Sequence, residues 1–452
     1  MSSLRREVAE LKVVIEELRA LLRQNSSNSN RPPSSDGPAA REEREGKRSK
    51  RKRGGQPGHD PHRRELVPPE KLRRIVDCFP THCRRCNAAL PQRAEGEPWV
   101  HQVTEVPVIT PDTDEFRRQR VRCDGCGEVT CGPLPDGVPS TMCGPRLTAL
   151  IALLTAAFHL SRRQAQTLTS DVLGVSLSLG VVSESEERIS EAVAPAVEQA
   201  VDYACQQPVK HVDATGWRLA GAPRTLWTIA TSLVTAFTIT INGTRAELRK
   251  VLRVVLGYLV SDRGTQFGFW AMDKRQVCWA HLIRKFVSFS ERGGVVGSLG
   301  DDLLVWAGFL LERWRWVKDR DGPRRRRRLA NEARVVRAKI EAHLRRGVAM
   351  GVRGVSGSCQ DILDHSEAMW TFVTVAGVDP TNNHAERELR GFVLWRKKSF
   401  GSQSQRGVDF ARRLMTVVHT LRKQRRHVLS FLTDSYQAAL RDGAVPSLLP
   451  DP

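Results

Sequence analysis

The stretch VKHVDATGWRL at residues 209–219 marks the point where helical patterns give way to the alternation of a β-strand. Two further strand-like runs follow it, TLWTIATS at 225–232 and TAFTITIN at 235–242, separated by turns. A helix from about 244 to 256 and a fourth strand, GYLVSD, come next. The segment RQVCWA at 275–280 predicts a fifth strand that leads into the helix HLIRKFVSFS.

Three antiparallel strands, a helix and two more strands with helical crossovers predict a ribonuclease-H-like α/β sheet. The first and fourth strands of such a sheet are neighbours. Asp213 lies near the end of the first strand and Asp262 follows the fourth, so we expect their carboxylates to meet at one edge. Glu386, in NNHAERELR at 382–390, would add a carboxylate from a later helix. Oxygen ligands of this kind suit two Mg²⁺ ions about 4 Å apart, which promote phosphoryl displacement.

Each of these carboxylates also has an ordinary structural explanation. Asp213 in DATG could be a turn residue, and Asp262 in SDRG could cap the following segment. Asn383 and Glu386 have the spacing of a capping box, in which the glutamate bonds a free backbone N–H at a helix start. The joint placement of the three residues favours the metal site over these separate explanations.

The composition points to a nucleic-acid partner. The chain has 452 residues, a formal charge of +21 and a pI near 10.1, a positive field that attracts polyanions. The sequence has no run of about 18 apolar residues and no apolar signal-peptide core at its start. We therefore expect a cytoplasmic protein that binds double-stranded DNA and not a membrane.

The N-terminal segment has a heptad pattern. Leu4, Leu11 and Leu18 are seven apart, with Val8, Ile15 and Leu22 in the offset positions, so residues 1–24 predict a coiled coil and a homo-oligomer. A single amphipathic helix on the body of the protein is the alternative. Residues 25–70 predict a basic linker, in which Arg51, Lys52 and Arg53 would neutralise DNA phosphates.

Two Cys-x-x-Cys pairs predict a zinc-ribbon-like module over residues 71–140. Cys83, Cys86, Cys123 and Cys126 can supply four thiolates to one Zn²⁺ ion, with the strand-like runs WVHQVTEVPVIT and EFRRQRVRC between the pairs. The nearby residues that could substitute as ligands are Cys78, Cys131 and Cys143. Later in the chain, Cys278 and His281 could form a second zinc site. We favour instead a packed Cys278 and a His281 that is directed toward the carboxylates at the sheet edge or toward a phosphate.

Two helical regions flank the predicted sheet. Residues 141–207 contain PRLTALIALLTAAFHL and SRRQAQTLTSDVLG, followed by a helix whose start carries Ser183 and Arg188; this pattern fits a helix-turn-helix or a plain helical bundle. Residues 293–370 read as a helical insertion. Its tryptophans and the arginines at 324–328 could stack a splayed base, or the tryptophans could form the helix core. These tryptophans are Trp306, Trp314 and Trp316.

The chain resembles transposases of the IS66 family, bacterial insertion-sequence enzymes of the DDE class. The resemblance rests on motifs in this order: NSSNSNRPPSSDG, GGQPGH, the paired Cys-x-x-Cys, VDATGW, CWAHLIRKF and NNHAERELRGFVLWRKKSFGSQSQRG. It implies that Asp213, Asp262 and Glu386 are the catalytic residues. The sequence after Asp262, RGTQFGFW, departs from the usual glycine-tyrosine stretch, which leaves Asp273 as a reserve candidate for the second aspartate.

The resulting prediction is a multidomain α+β DNA transposase with Mg²⁺ at the catalytic site and structural Zn²⁺. The partners would be transposon ends, target DNA and accessory proteins of the same element. A zinc-containing DNA-binding regulator and a ribonuclease-H-like nuclease are the alternatives. The catalytic core would occupy residues 208–292 and 371–440, with a tail at 441–452. The basic residues expected to hold DNA phosphates near Glu386 are Arg387, Arg390, Arg396, Lys397 and Lys398.

Overall fold

The computed structural model describes residue 15 and residues 22–29, 36–37, 65–318 and 322–450. The chain forms two compact units, one of residues 1–41 with 112–452 and one of residues 42–111. This division falls inside the predicted zinc-binding module. The coiled coil expected over residues 1–24 lies almost entirely outside the described residues, as do Arg51, Lys52 and Arg53, so both predictions stay predictions.

A five-stranded mixed sheet forms the centre of the larger unit. The strands in spatial order are β5, β4, β3, β6 and β7. Strands β3, β4 and β5 are antiparallel, whereas β6 and β7 run parallel to β3. All five predicted strands are therefore present in the predicted order. The strands are β1 (Arg120–Arg122), β2 (Val129–Cys131), β3 (Val209–Leu219), β4 (Ala222–Ala230), β5 (Thr235–Thr240), β6 (Tyr258–Ser261) and β7 (Arg275–Val277).

Helices cover the sheet and form most of the remaining structure. They are α1 (Pro145–Ala156), α2 (Arg162–Leu173), α3 (Leu179–Ala192), α4 (Ala194–Gln206), α5 (Arg245–Leu252), α6 (Trp279–Ser290), α7 (Gly294–Lys318), α8 (Pro323–Ala349), α9 (Ser356–Asp364), α10 (Thr371–Thr374), α11 (Asn383–Ser399), α12 (Gln405–Lys423) and α13 (Val428–Leu440). Local signals set several ends. Ser161 and Gln164 form a capping box at α2, and Gly174 ends that helix in the left-handed conformation, with φ of 68°.

One core joins the sheet to helices from both ends of the larger unit. Ile189 of α3 and Val201 of α4 pack in the same buried cluster as Ile229 of β4 and Leu414 of α12. Helices α1, α3 and α4 thus share a core with the sheet, whereas Ala165 of α2 belongs to a separate buried cluster. The helix expected to begin near Ser183 begins at Leu179, because Ser178 caps it through the backbone N–H of Val181.

A second core lies beneath the helices that follow β7. Phe286 of α6, Leu303 of α7 and Ile340 of α8 pack there with Val277 of β7. Among the described helices, α7 is the one long and apolar enough to cross a membrane by length and composition. Its buried positions face α6 and α8 in this core, which is the ordinary use of an apolar helix in a globular protein.

The strand expected at residues 99–110 is wrong, because the structure describes those residues without a strand. Their apolar side chains are exposed, including Trp99, Val103 and Val108. No apolar layer covers these residues, so pairing them as a strand would bury little apolar surface. The run at 115–123 contributes only β1, which pairs with β2 around the second Cys-x-x-Cys turn. The hairpin therefore encloses one cysteine pair instead of spanning the distance between the two pairs.

Candidate active site

Asp213 and Asp262 lie side by side at the carboxyl edge of the parallel strands. The register pairs Val209 with Tyr258 and His211 with Val260, so two further residues place Asp213 opposite Asp262. Asp213 is the fifth residue of the eleven-residue β3, and not near its end as the sequence suggested. The strand continues because its second half pairs with β4 alone, after β6 has ended.

Asp213 is a buried carboxylate whose pKa is affected by two other carboxylates. Burial raises the pKa of Asp213 to about 7, and the neighbouring carboxylates of Asp262 and Glu386 add to the rise. The backbone N–H of Ala214 and the guanidinium of Arg284 act in the opposite direction. The carboxylate of Asp213 is therefore close enough to both other predicted carboxylates to be repelled by them, which favours a proton or a cation at this position.

Asp262 is fixed by the loop that follows β6. Its Oδ1 accepts a hydrogen bond of 2.8 Å from the backbone N–H of Gly264. Its carbonyl oxygen accepts one of 2.9 Å from the guanidinium of Arg275, a fully buried arginine on β7. Burial lowers the pKa of Arg275 to about 10. The side chain of Asp262 is therefore held by its own turn, and its backbone by a neighbouring strand.

The helix that carries Glu386 is anchored by Asn382. The Asn382 amide donates to the carbonyl oxygen of Val212 at 2.9 Å, beside Asp213, and its backbone N–H donates to Sγ of Cys278 at 3.1 Å. Asn382 is the N-cap of α11, and within the described residues it makes no side-chain capping bond. The alternative explanation of Glu386, a capping box with Asn383, is therefore wrong: the helix start is held by tertiary contacts.

The Glu386 carboxylate faces side chains from α6. Its Oε1 lies 3.8 Å from Nδ1 of His281 and 3.7 Å from Nη2 of Arg284. Within the described part of the chain, Oε1 of Glu386 and Nδ1 of His281 are both buried and without a hydrogen-bond partner. The carboxylate is thus placed for electrostatic or metal contacts, and capping does not account for it.

Asp273, the reserve candidate, lies at the other edge of the sheet. It sits in a 3₁₀ turn, Met272–Lys274, immediately before β7 begins. In a parallel sheet that position is the amino end of the strand, opposite to the edge that carries Asp213 and Asp262. Asp273 is also exposed. The geometry favours Asp262 as the partner of Asp213.

Residues 140–409 match the model of a family described as the Transposase IS66 family. The chain belongs to the IS66 transposase family. Residues 2–65 match a second model, described as a family of unknown function (DUF6444), and no curated protein matches the chain. The IS66 match contains the three carboxylates and the second core, whereas the first core extends past residue 409 into α12 and α13. The family assignment makes the chain a transposase, a class of enzyme that acts on DNA and depends on divalent metal.

Sequence reasoning missed two residues that shape this IS66 site. In the sequence, Asn382 stands out only as part of the NNHAERELR motif, and its role depends on the distant Val212 and Cys278. Arg284 lies one turn after His281 in CWAHLIRKF, on the helix face that meets Glu386. A basic residue three positions after a candidate histidine was the available signal, since such residues share a helix face.

The second glutamate of the IS66 motif faces away from the acidic edge. Glu388 lies 3.1 Å from Nζ of Lys423 and accepts a hydrogen bond from His419. Burial alone would raise the pKa of Glu388, but contacts with His384 and His419 and the charge of Lys423 outweigh it and hold that pKa well below its usual range. Glu388 is therefore an ion-pair residue that attaches α11 to α12.

The basic residues after Glu386 divide into two groups. Arg387, Arg390, Lys397 and Lys398 are exposed along α11. Arg396 is half-buried and donates to Oγ1 of Thr215 at 3.3 Å and to the carbonyl oxygen of Gly216. The exposed group is available to a polyanion, whereas Arg396 ties α11 to β3.

Both Cys-x-x-Cys pairs of the IS66 chain form the same kind of turn, each within its own unit. The residue four after the first cysteine has positive φ in both, 57° at Asn87 and 75° at Gly127. Backbone N–H groups of Cys86 and Arg85 lower the pKa of Cys83, and those of Cys126 and Gly125 lower the pKa of Cys123. N–H groups directed at sulfur stabilise a thiolate, the form that binds metal.

The other cysteines near these turns differ from one another. Cys143 is buried among Ile151 and Leu154, and burial raises the pKa of its thiol, so it belongs to the core of the helical region. Cys78 and Cys131 are exposed.

Two of the three tryptophans in the helical insertion pack on its core, and the third is exposed. Trp306 and Trp314 pack against the second core. Trp316 is 46% exposed, with the guanidinium of Arg325 5.0 Å and that of Arg328 5.7 Å from its ring centroid. Arg328 also pairs with Glu332 at 3.0 Å. The exposed ring therefore joins the ends of α7 and α8.

Proposed function

We propose that this transposase hydrolyses a phosphodiester at a transposon end and joins the freed 3′-hydroxyl to target DNA, with Asp213, Asp262 and Glu386 as its DDE residues. The observation that carries the proposal is the effect of the Asp262 and Glu386 carboxylates on the buried Asp213, which lies on the strand next to β6. The register of β3 and β6 supports the aspartate pair. The carboxylate effects on the pKa of Asp213 support the trio.

The sheet supports a ribonuclease-H-like reading of this catalytic core. Its order and its strand directions, three antiparallel strands followed by two parallel ones, are those expected of that fold. The helices between β7 and α11 then correspond to an insertion before the glutamate. The fold by itself assigns no chemistry, so the proposal depends on the carboxylates.

The donor set fits two Mg²⁺ ions, held by Asp213, Asp262 and Glu386. The fit rests on the Asp213 carboxylate, whose pKa both other carboxylates raise, and on Oε1 of Glu386, which has no hydrogen-bond partner among the described residues. When bound, Mg²⁺ would activate the attacking oxygen and stabilise the leaving oxygen. We infer two ions because paired metals suit in-line displacement at phosphorus.

The chain's own residues orient this site and its substrate. Asn382 fixes the start of α11 beside Asp213, so Glu386 approaches the aspartates on a rigid element. Arg284 supplies a cation next to Glu386, and the exposed Arg387, Arg390, Lys397 and Lys398 would hold DNA phosphates. The overall charge of +21 would strengthen the encounter with DNA at low salt.

The accessory parts of the proposal rest on sequence and local geometry. Cys83, Cys86, Cys123 and Cys126 would hold one structural Zn²⁺, supported by the two matching turns. The heptads of residues 1–24 would join chains into a homo-oligomer. The helices of residues 141–207 would contribute to end binding.

A cleavage and strand-transfer assay separates the proposal from its rivals. Full-length protein is incubated with labelled DNA carrying its element's ends, a target plasmid and Mg²⁺. A transposase yields cleaved ends and joined products. A nuclease on the same fold yields cleavage alone, and a zinc-containing regulator binds the ends without either product. Binding without cleavage under all divalent-metal conditions would overturn the proposed chemistry.

A further inference from the structure

A cluster of three potential metal ligands lies beside the carboxylate edge. Sγ of Cys278, an imidazole nitrogen of His281 and a carboxylate oxygen of Glu386 all fall within 4.8 Å of one another. Among the described residues, this is the one group of three or more such side chains whose ligand atoms lie this close together. Mg²⁺ has little use for sulfur and imidazole ligands, whereas Zn²⁺ and similar transition metals prefer them.

We propose that Cys278, His281 and Glu386 form a transition-metal site that takes Zn²⁺. Two ligands come from one Cys-x-x-His turn at the junction of β7 and α6, and the third comes from α11. Three protein ligands with one open position is the arrangement of many reactive zinc sites. The site shares Glu386 with the proposed catalytic trio, so a bound Zn²⁺ would remove that carboxylate from Mg²⁺.

The orphaned atoms are the first support. Nδ1 of His281 and Oε1 of Glu386 lie 3.8 Å apart, too far for a hydrogen bond, and within the described chain neither atom makes a hydrogen bond. Ligand atoms bound to one tetrahedral Zn²⁺ lie about 3.3–3.7 Å apart. A shared ion would therefore satisfy both buried atoms after a small contraction of the site.

The surroundings of Cys278 are the second support. Cys278 is the N-cap of α6, and its Sγ accepts a hydrogen bond of 3.1 Å from the backbone N–H of Asn382. On metal binding, the thiol proton would be released to solvent, and this N–H group would stabilise the remaining thiolate.

The charge of Arg284 would weaken the binding of Zn²⁺ at this site. Its Nη2 lies 3.7 Å from the same Oε1 of Glu386, so a metal ion and this guanidinium would repel each other. Arg284 must move away from the carboxylate, or Glu386 must offer its other oxygen. We therefore expect removal of the Arg284 charge to tighten Zn²⁺ binding at this site.

The test counts metal in the full chain. Metal-stripped protein is titrated with Co²⁺, a zinc substitute whose thiolate complexes absorb light, and the wild type is compared with Cys278→Ser, His281→Asn and Cys359→Ser. Cys359 is a buried cysteine in the second core and serves as the matched control. We expect the first two variants to bind about one ion fewer per chain than the wild type. The control should bind as many as the wild type.

Two further measurements keep the outcomes distinct. Equal metal counts in the wild type, Cys278→Ser and His281→Asn would overturn the site, and thermal melts identify any variant that has failed to fold. The inhibitory effect of the site rests on the proposed function: Zn²⁺ should suppress Mg²⁺-dependent cleavage, and added Mg²⁺ should relieve it. If the variants bind one Co²⁺ ion fewer but no protein, including the wild type, cleaves DNA, the proposed function is contradicted and the metal site is supported.

Discussion

At the scale of single residues, the site depends on a few side chains whose neighbours come from distant parts of the sequence. Asp213 is predictable because a strand pattern surrounds it, and Asp262 because it ends the next parallel strand. Asn382 is not predictable in the same way. Its amide reaches Val212, which is 170 residues earlier, and this contact replaces the capping bond that the local sequence suggests.

Asn382→Ala should loosen the helix that carries Glu386. The substitution leaves the buried carbonyl oxygen of Val212 without this donor, at a cost of about 1–3 kcal/mol in the free energy of unfolding. We also expect cleavage to fall at least about tenfold, because Glu386 loses its fixed approach to the aspartates. The matched control is Asn383→Ala at the adjacent exposed position. Equal stability and cleavage in both variants would contradict the anchoring role.

At the scale of elements, α11 carries two glutamates that have different roles. Glu386 faces α6 and the aspartates, whereas Glu388 faces α12. The sequence places the two glutamates on different helix faces by their spacing alone. It does not reveal the ion-pair cluster around Glu388, because His419 and Lys423 belong to another helix.

Glu388→Gln should destabilise the protein in a pH-dependent way. A carboxylate whose folded pKa is lowered stabilises the fold above its unfolded pKa, 4.5 for glutamate, and loses that contribution as the pH falls. The variant should lose about 2 kcal/mol of unfolding free energy near neutral pH. Its difference from the wild type should shrink below pH 4.5. Denaturant titrations over this pH range measure the effect, and a constant difference at every pH would refute it.

Substitution of cysteines in the two Cys-x-x-Cys turns tests whether they bind one zinc ion together. Cys83→Ser combined with Cys123→Ser removes one ligand from each turn and should lower bound zinc by about one ion per chain. Cys78→Ser combined with Cys131→Ser is the matched control, because both of those cysteines are exposed and neither belongs to a Cys-x-x-Cys pair. Elemental analysis of freshly purified protein gives the count. Unchanged zinc in the first double variant would remove the proposed site.

At the scale of the whole molecule, the sequence predicted the sheet better than the packing around it. Alternating apolar residues identify strands wherever one or two apolar layers cover the sheet, as at β3 and β4. The same alternation at residues 99–110 predicted a strand that the structure does not have, because those side chains have no apolar layer to join. The sequence predicts the helices of residues 141–207 as a separate region, yet α1, α3 and α4 share the main core with the sheet.

The most direct test of the account is the Mg²⁺-dependent cleavage of transposon-end DNA by Glu386→Gln. The carboxylate does not cap α11, and its Oε1 lacks a hydrogen-bond partner within the described residues, so glutamine should leave stability and DNA binding near those of the wild type. Loss of the charge should lower cleavage and joining by orders of magnitude, because Mg²⁺ needs the anionic oxygen. A folded, DNA-binding Glu386→Gln protein with wild-type cleavage would contradict the central claim.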